Sequence, residues 1–231
     1  MIRYLNKTVF NSNCDGLVNT VNCVGVMGAG LALEFALRYP EVEKQYEDDC
    51  KNKKVKTGEI LTYKTHDCLV IDFPTKNHWK FPSELKWVSE GLDYMVKHYK
   101  EWNIKSIAIP PLGCNNGGLD FERQVKPLIE DKLKNIDLDV VICIDPGIAE
   151  GKEKVMLDAF KDSNINQLCE YLKIKGKARE GLLKAKPVSR FHQIKEIDNV
   201  GLVTYKKLFD YFYNGGVAIK ESLKQSTLFD L

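Results

Sequence analysis

Asn19-Thr-Val-Asn-Cys-Val-Gly-Val-Met-Gly-Ala-Gly30 joins the end of an apolar strand, Leu17 and Val18, to a helical pattern over Leu31 to Arg38. Gly25, Gly28 and Gly30 therefore occupy the turn between strand and helix, where glycine lets the backbone come close to a ligand and the free N–H groups of a helix start attract anions. A second stretch repeats the layout: the apolar run Ser106 to Ile109, then Pro110-Pro-Leu-Gly-Cys-Asn-Asn-Gly-Gly-Leu-Asp120, then a helix from about Phe121. Neither loop is a G-x-G-x-x-G fingerprint or a P-loop, so each alone reads equally well as a plain turn. Together they fit one diphosphate gripped between two strand-to-helix loops.

Outward from these loops, short apolar strands alternate with helical patterns, which predicts an α/β layered domain with a mostly parallel sheet. The expected strands are Ile2 to Leu5, Gly16 to Val21, Ile60 to Tyr63, Leu69 to Phe73, Ser106 to Ile109 and Val140 to Ile144. The clearest helix runs from Ser83 to Trp102, with Ser83 as N-cap and Leu85, Val88, Leu92, Met95 and Tyr99 at helical spacing. Trp87 and Trp102 read as packing residues. Ligands of open α/β sheets sit at the carboxyl ends of strands, and the segments after Val18, Ile71 and Ile109 fall at such ends and converge on one cleft.

A length of 231 residues suits a medium domain plus a smaller one, and 44% hydrophobic content fills a core. The near-neutral net charge hides an asymmetry: residues 1–150 hold 19 Lys+Arg against 22 Asp+Glu, and residues 151–231 hold 15 against 10. Seven cysteines (Cys14, Cys23, Cys50, Cys68, Cys114, Cys143 and Cys169) are scattered without C-x-x-C spacing. An odd number in apolar contexts predicts reduced thiols, a cytoplasmic location and no zinc site. No window approaches a membrane span or a secretory leader, so no membrane partner is expected.

Three motifs together carry a family resemblance: the Asn19 to Gly30 stretch, Phe73-Pro-Thr-Lys-Asn-His-Trp79, and Pro110 to Asp120. Over about residues 1 to 147 the chain resembles macrodomains of the DarG type, antitoxins that remove ADP-ribose from DNA. The resemblance implies a three-layer α/β/α macrodomain with a mixed, mostly parallel central sheet, ADP-ribose as ligand and product, and no cofactor or metal. It implies a diphosphate and distal ribose held by Gly25, Val26, Met27, Gly28 and Gly30 with Gly113, Cys114, Asn115, Asn116, Gly117 and Gly118, and ribose contacts from Asn19 and Asn22. An amide side chain suits sugar hydroxyls, but it equally ties a loop to itself. Lys76 matches the family's acting lysine, with Lys80 in reserve. A partly desolvated lysine can form a Schiff base with an opened sugar, while the plain alternative is a phosphate-contacting or solvated lysine. Asp120 matches the acidic partner, and it equally suits the N-cap of the helix at Phe121. His78 and Trp79 face the nucleobase on this reading, or else pack. Most macrodomains carry Gly-Asp after the first strand for the adenine amino group. Lys7 and Thr8 stand there instead; Thr8 can hydrogen-bond but supplies no carboxylate, so adenine recognition is either weaker or carried by a neighbour such as Asn6 or Asn11.

The resemblance ends at Gly147, and residues 148–224 read as a basic, small helical region. Ile194 to Phe212 is similar to a helix-hairpin-helix module, with a turn at Asn199-Val-Gly201 and with Lys206 and Lys207 following, a pattern suited to DNA phosphates or to a small helical bundle. Residues 225–231, Gln-Ser-Thr-Leu-Phe-Asp-Leu, resemble sliding-clamp-binding peptides, with Gln225, Leu228 and Phe229 as anchors. The expectation is a DNA ADP-ribosyl glycohydrolase acting on modified thymidine, with single-stranded ADP-ribosylated DNA as its substrate and a sliding clamp and a DarT-like toxin as further partners. Two rivals stay open: a hydrolase of ADP-ribose on protein carboxylates or of O-acyl-ADP-ribose, and a non-catalytic ADP-ribose reader or toxin-binding module.

Overall fold

The computed structural model describes residues 1–220. The chain divides into two compact units, one ending at Pro146 and the other beginning at Gly147.

The first unit is built on six strands: β1 (Ile2–Leu5), β2 (Gly16–Asn22), β3 (Leu61–Lys64), β4 (Leu69–Lys76), β5 (Ser106–Ile109) and β6 (Asp139–Cys143). They lie in the order β1-β6-β5-β2-β4-β3, and every pairing is parallel except the antiparallel β3–β4 pair. The central strands read as unbroken apolar runs because helices cover both their faces. Val18, Ile71 and Phe73 face a core completed by Val88, Leu92 and Met95 of α3 (Leu85–His98) and by Ile129 and Leu133 of α4 (Lys126–Leu133). Leu17, Val21 and Val70 face the opposite core, completed by Phe35 of α1 (Gly30–Arg38) and by Val42 and Tyr46 of α2 (Pro40–Lys51). The result is the expected α/β/α sandwich.

Two local departures shape the cleft. β4 runs on through Pro74 and Thr75 to Lys76, three residues past the expected end, because β2 goes on pairing with it as far as Asn22, and Pro74 is accommodated where β3 has stopped pairing at Asp72. Ser83 is not the cap of α3. Glu84 holds that position, and Ser83 instead donates its hydroxyl to Thr75 Oγ1 at 3.2 Å. The helical stretch does continue to Trp102, as a 3-10 turn over Tyr99–Trp102.

The second unit contains α5 (Gly151–Lys161), α6 (Ile165–Tyr171), α7 (Gly176–Lys184), a 3-10 turn over Phe191–Glu196, and α8 (Leu202–Tyr213). Phe160, Phe191, Phe209 and Phe212 form its aromatic centre, in mostly edge-to-face contacts. Glu153 and Arg190 make a buried ion pair at 2.9 Å, and Glu153 also accepts from the backbone N–H of Phe191, so its charge is hydrogen-bonded as well as paired. The segment resembling a helix-hairpin-helix has only the short 3-10 turn as its first arm. The left-handed residue of its turn is Asn199 (φ 63°), and Gly201 is the extended N-cap of α8.

Candidate functional site

A cleft of about 570 Å³ opens at the carboxyl ends of β2, β4 and β5. One wall is the first glycine loop, the other is the second, and Lys76 lies at the end of the strand beneath them.

The first loop is held by the residue that precedes it. Asn22 Oδ1 accepts from the N–H groups of Val24 (2.9 Å) and Val26 (3.4 Å), its Nδ2 donates to the Val26 carbonyl at 2.6 Å, and its own carbonyl accepts from Tyr46 Oη at 2.7 Å. Asn22 lines the cleft, but its side-chain amide is occupied in tying the loop. Gly25 sits at φ 76° with the α2 backbone of Glu47 close by, a conformation that a side chain rarely adopts. Val26, Gly28 and Gly30 line the cleft, while Gly25 and Met27 support it from behind, Met27 being buried.

The second loop folds onto itself and onto Ser83. A Cβ on Gly117 would stand 2.1 Å from the Gly113 carbonyl oxygen and 2.3 Å from Ser83 Oγ. Ser83 N–H donates to the Gly117 carbonyl at 2.9 Å, and Leu119 N–H donates to the Gly113 carbonyl at 3.1 Å. Ser83 thus braces the loop through its backbone and its neighbour Thr75 through its hydroxyl, and both residues line the cleft. Gly113, Cys114, Asn115, Asn116 and Gly117 line it too, and Gly118 does not. The loops converge: a Cβ on Gly30 would lie 3.0 Å from Asn116 Nδ2.

Lys76 is 9% exposed and donates from Nζ to the Asn116 carbonyl at 2.7 Å. Burial lowers its pKa below the ordinary lysine value, since removing water disfavours the ammonium form. Lys80 lies elsewhere. Its side chain is exposed, with Nζ 5.1 Å from the centre of the Trp79 ring. Trp79, 51% exposed, borders the cleft, and His78 stacks on it with ring centres 5.3 Å apart. Phe81, 62% exposed, stands against His78 at 5.7 Å.

Asp120 caps the π-helical turn Phe121–Val125 by accepting from Arg123 N–H at 2.9 Å, and its second carboxylate oxygen lies 3.8 Å from Arg123 Nε. It does not line the cleft, nor does Thr8, whose hydroxyl accepts from Asn11 Nδ2 at 3.2 Å. Asn19 is also outside the lining. It is fully buried and donates to Asp72 Oδ1 at 2.9 Å, the two being directly paired across β2 and β4. Among the described residues Asp72 has no cationic neighbour to favour ionisation, and burial pushes its pKa up to about 7. The residues missed in the sequence are Asp72, Ser83, Thr75 and Tyr46. Only Asp72 left a signal, an acid in the middle of a buried apolar strand.

Burial raises the thiols of Cys23 and Cys114 to about 11, so neither is an activated nucleophile. Among the described residues no His, Cys, Asp or Glu cluster could hold a metal ion, and no helix is long and apolar enough to cross a membrane. Gly201, Lys206 and Lys207 lie on the second unit, with Lys207 Nζ donating to the Leu172 carbonyl at 3.4 Å. Gln225, Leu228 and Phe229 lie outside the described residues.

The mixed, mostly parallel sheet carries two strand-to-helix glycine loops over one cleft, and the chain belongs to the macrodomain family: residues 18–127 match the Macro domain model. The solved macrodomain of Mycobacterium tuberculosis DarG is 42% identical, with a TM-score of 0.59, over 62% of this chain and 97% of that one. Thermosipho africanus DarTG in complex with ADP-ribose is 34% identical, with a TM-score of 0.60, over 65% of this chain and 43% of that one. A curated Mycobacterium tuberculosis relative named DNA ADP-ribosyl glycohydrolase is 42% identical over 146 residues, 62% of this chain. The chain spans 42% of that relative's length.

Proposed function

We propose that the cleft binds ADP-ribose and that the protein hydrolyses the N-glycosidic bond joining ADP-ribose to thymidine in DNA. The observation that carries this reading is the desolvated amine of Lys76, held inside the cleft at the end of β4 and shared with the second glycine loop through the Asn116 carbonyl. The neighbouring relatives named as DNA ADP-ribosyl glycohydrolases and the ADP-ribose complex support it.

The two loops hold the diphosphate with backbone N–H groups, and α1, which starts at Gly30, turns its N-terminus toward the same cleft. The neutral amine of Lys76 attacks the anomeric carbon of the distal ribose. The bond to the thymine ring nitrogen breaks, its electron pair leaves as the imide anion, and that anion takes up the proton which the lysine nitrogen gives up. The imide is stable enough to depart without a Lewis acid. Water then adds to the resulting lysyl adduct, which exists as a ring-opened Schiff base, and expels the amine with ADP-ribose as product. Asp120 lies outside the cleft lining, so it takes part in the proton transfer of that second step only through an intervening water. Trp79 and His78 stack on the base. A DarT-like toxin is the source of the modified DNA and the partner of an antitoxin role.

The test is ADP-ribose release from a single-stranded oligonucleotide carrying ADP-ribosyl thymidine, with ADP-ribose binding measured by calorimetry. Lys76→Ala should keep binding and lose about 100-fold or more of turnover. If wild type binds ADP-ribose and leaves the oligonucleotide intact, the glycohydrolase reading is wrong.

A further inference from the structure

The second unit carries an internal duplication. Lys173 (φ 54°) and Asn199 (φ 63°), 26 positions apart (173 to 199), are its two left-handed non-glycine residues among those described. Each is followed by a buried aliphatic side chain, Ile174 or Val200, both 3% exposed. Next comes an extended N-cap, Lys175 (ψ 172°) or Gly201 (ψ 175°), and then a helix, α7 or α8. The same offset pairs Leu168 with Ile194 and Leu182 with Leu208, and all four are buried.

The copies also pack reciprocally. The α7 backbone at Gly181 comes so near the Asp198 carbonyl oxygen that a Cβ would stand 2.0 Å from it, and Lys207 of α8 donates to the Leu172 carbonyl at 3.4 Å. Gly181 and Lys207 are equivalent positions under the offset, and so are Leu172 and Asp198. A contact from the second helix of one copy to the hairpin of the other is answered at the equivalent position, by a lysine tip where the first is a close backbone approach, as an approximate two-fold axis produces. The unit is thus a pair of helix–hairpin–helix-like motifs related by approximate two-fold symmetry, with α6 as the first arm of one and the 3-10 turn over Phe191–Glu196 as the first arm of the other, and the motif legible at Asn199 has a twin at Lys173.

The twin is the more charged of the two. Its hairpin reads Lys173-Ile-Lys-Gly-Lys177; the three lysines are exposed, and their ammonium groups make no ion pair among the described residues. The second hairpin exposes Leu202 (38%) and Val203 (74%) at the start of α8. We propose that the paired hairpins are a docking surface for double-stranded DNA, with Lys173, Lys175 and Lys177 on the phosphates of one strand and the Asn199 to Val203 hairpin against the sugar edges of the other. Lysines supply sequence-independent contacts to phosphate, and the exposed apolar pair suits deoxyribose. The duplex is favoured over a single strand because its two antiparallel backbones are themselves related by local two-fold axes, as the two hairpins are, whereas a single strand offers no such match. This surface is independent of the chemistry in the cleft.

The test uses the full chain and an unmodified fluorescent oligonucleotide of about 20 base pairs, a length that exceeds one turn of duplex. Binding is followed by anisotropy across a salt series, against the single strand of the same sequence. Wild type should prefer the duplex. The Lys173→Ala/Lys175→Ala/Lys177→Ala variant should lower the slope of log K against log salt by about 2 to 3, at about 0.9 per phosphate contact, with ADP-ribose binding unchanged. Val203→Asp, on the other hairpin, should weaken duplex binding independently. Equal affinity for duplex and single strand, or an unchanged slope in the triple variant, overturns the proposal. Duplex binding by a protein that releases no ADP-ribose would refute the glycohydrolase reading and leave this one standing.

Discussion

Asp72→Asn should stabilise the first unit, and by an amount that grows with pH. The folded carboxyl has a pKa raised to about 7 by burial, from an ordinary 3.8. The folded state therefore binds the proton more tightly than the unfolded one, so wild-type stability is fullest at acid pH and falls as pH rises toward the folded pKa. At 1.36 kcal/mol per pKa unit, the burden of the buried carboxylate is about 1.5 kcal/mol at pH 5 and about 4 kcal/mol at pH 8. The amide in the variant would carry no such burden and would still offer an oxygen to Asn19 Nδ2, replacing the carboxylate in the bond now 2.9 Å long. The gain of variant over wild type should thus widen by about 2 to 3 kcal/mol between pH 5 and pH 8. The groups around Asp72 that feel its charge are Tyr46, Tyr63 and Cys50, all with pKa raised by burial, so none titrates across this window to mask the effect. Urea unfolding followed by tryptophan fluorescence reads the right unit, because Trp79, Trp87 and Trp102 all precede Pro146. A gain that is the same at both pH values, or a loss at pH 8, would refute the assignment of Asp72 as a protonated buried acid.

Three further outcomes follow from the cleft. Gly117→Ala should destabilise the first unit by about 1 to 3 kcal/mol, because its Cβ cannot coexist with the Gly113 carbonyl and Ser83 Oγ, whereas Gly28→Ala, whose Cβ meets only Val26 at 3.5 Å, should stay within about 0.5 kcal/mol; paired urea melts decide. Burial lowers the Lys76 pKa, so the neutral amine becomes populated at lower pH than for an ordinary lysine; the turnover rate should climb with pH with its midpoint below 10.5, and a flat profile would remove the amine from the rate-limiting step. Asp120→Asn keeps a side chain that caps a helix equally well, so its melting temperature should match wild type while turnover falls; unchanged turnover would confine Asp120 to its capping bond with Arg123.

The fold was legible because the information for it is local. Strands buried on both faces stand out as apolar runs, and four of the six begin at the expected residue, Ile2, Gly16, Leu69 and Ser106. The glycine loops were legible for the same reason: Gly25 and Gly117 mark backbone positions that a side chain would strain or block, although their neighbour Gly28 has room for one. What stayed hidden is whatever depends on distant partners. Ser83 reads locally as a helix cap, yet its role comes from Gly117, 34 positions away (83 to 117), and from Thr75. Asn19 and Asn22 sit three residues apart in one motif and look alike, but the alternation of β2 sends Asn19 into the core against Asp72, while Asn22 sits at the irregularity where β2 meets the end of β4 and turns its amide onto its own loop. The same limit explains the second unit. One hairpin announced itself through Asn-Val-Gly, a familiar turn composition, and its twin did not, because Lys173 takes up the left-handed conformation without the residue types that usually advertise it. Only the reciprocal contacts of Gly181 and Lys207 make the two equivalent, and those contacts exist only once the chain has folded.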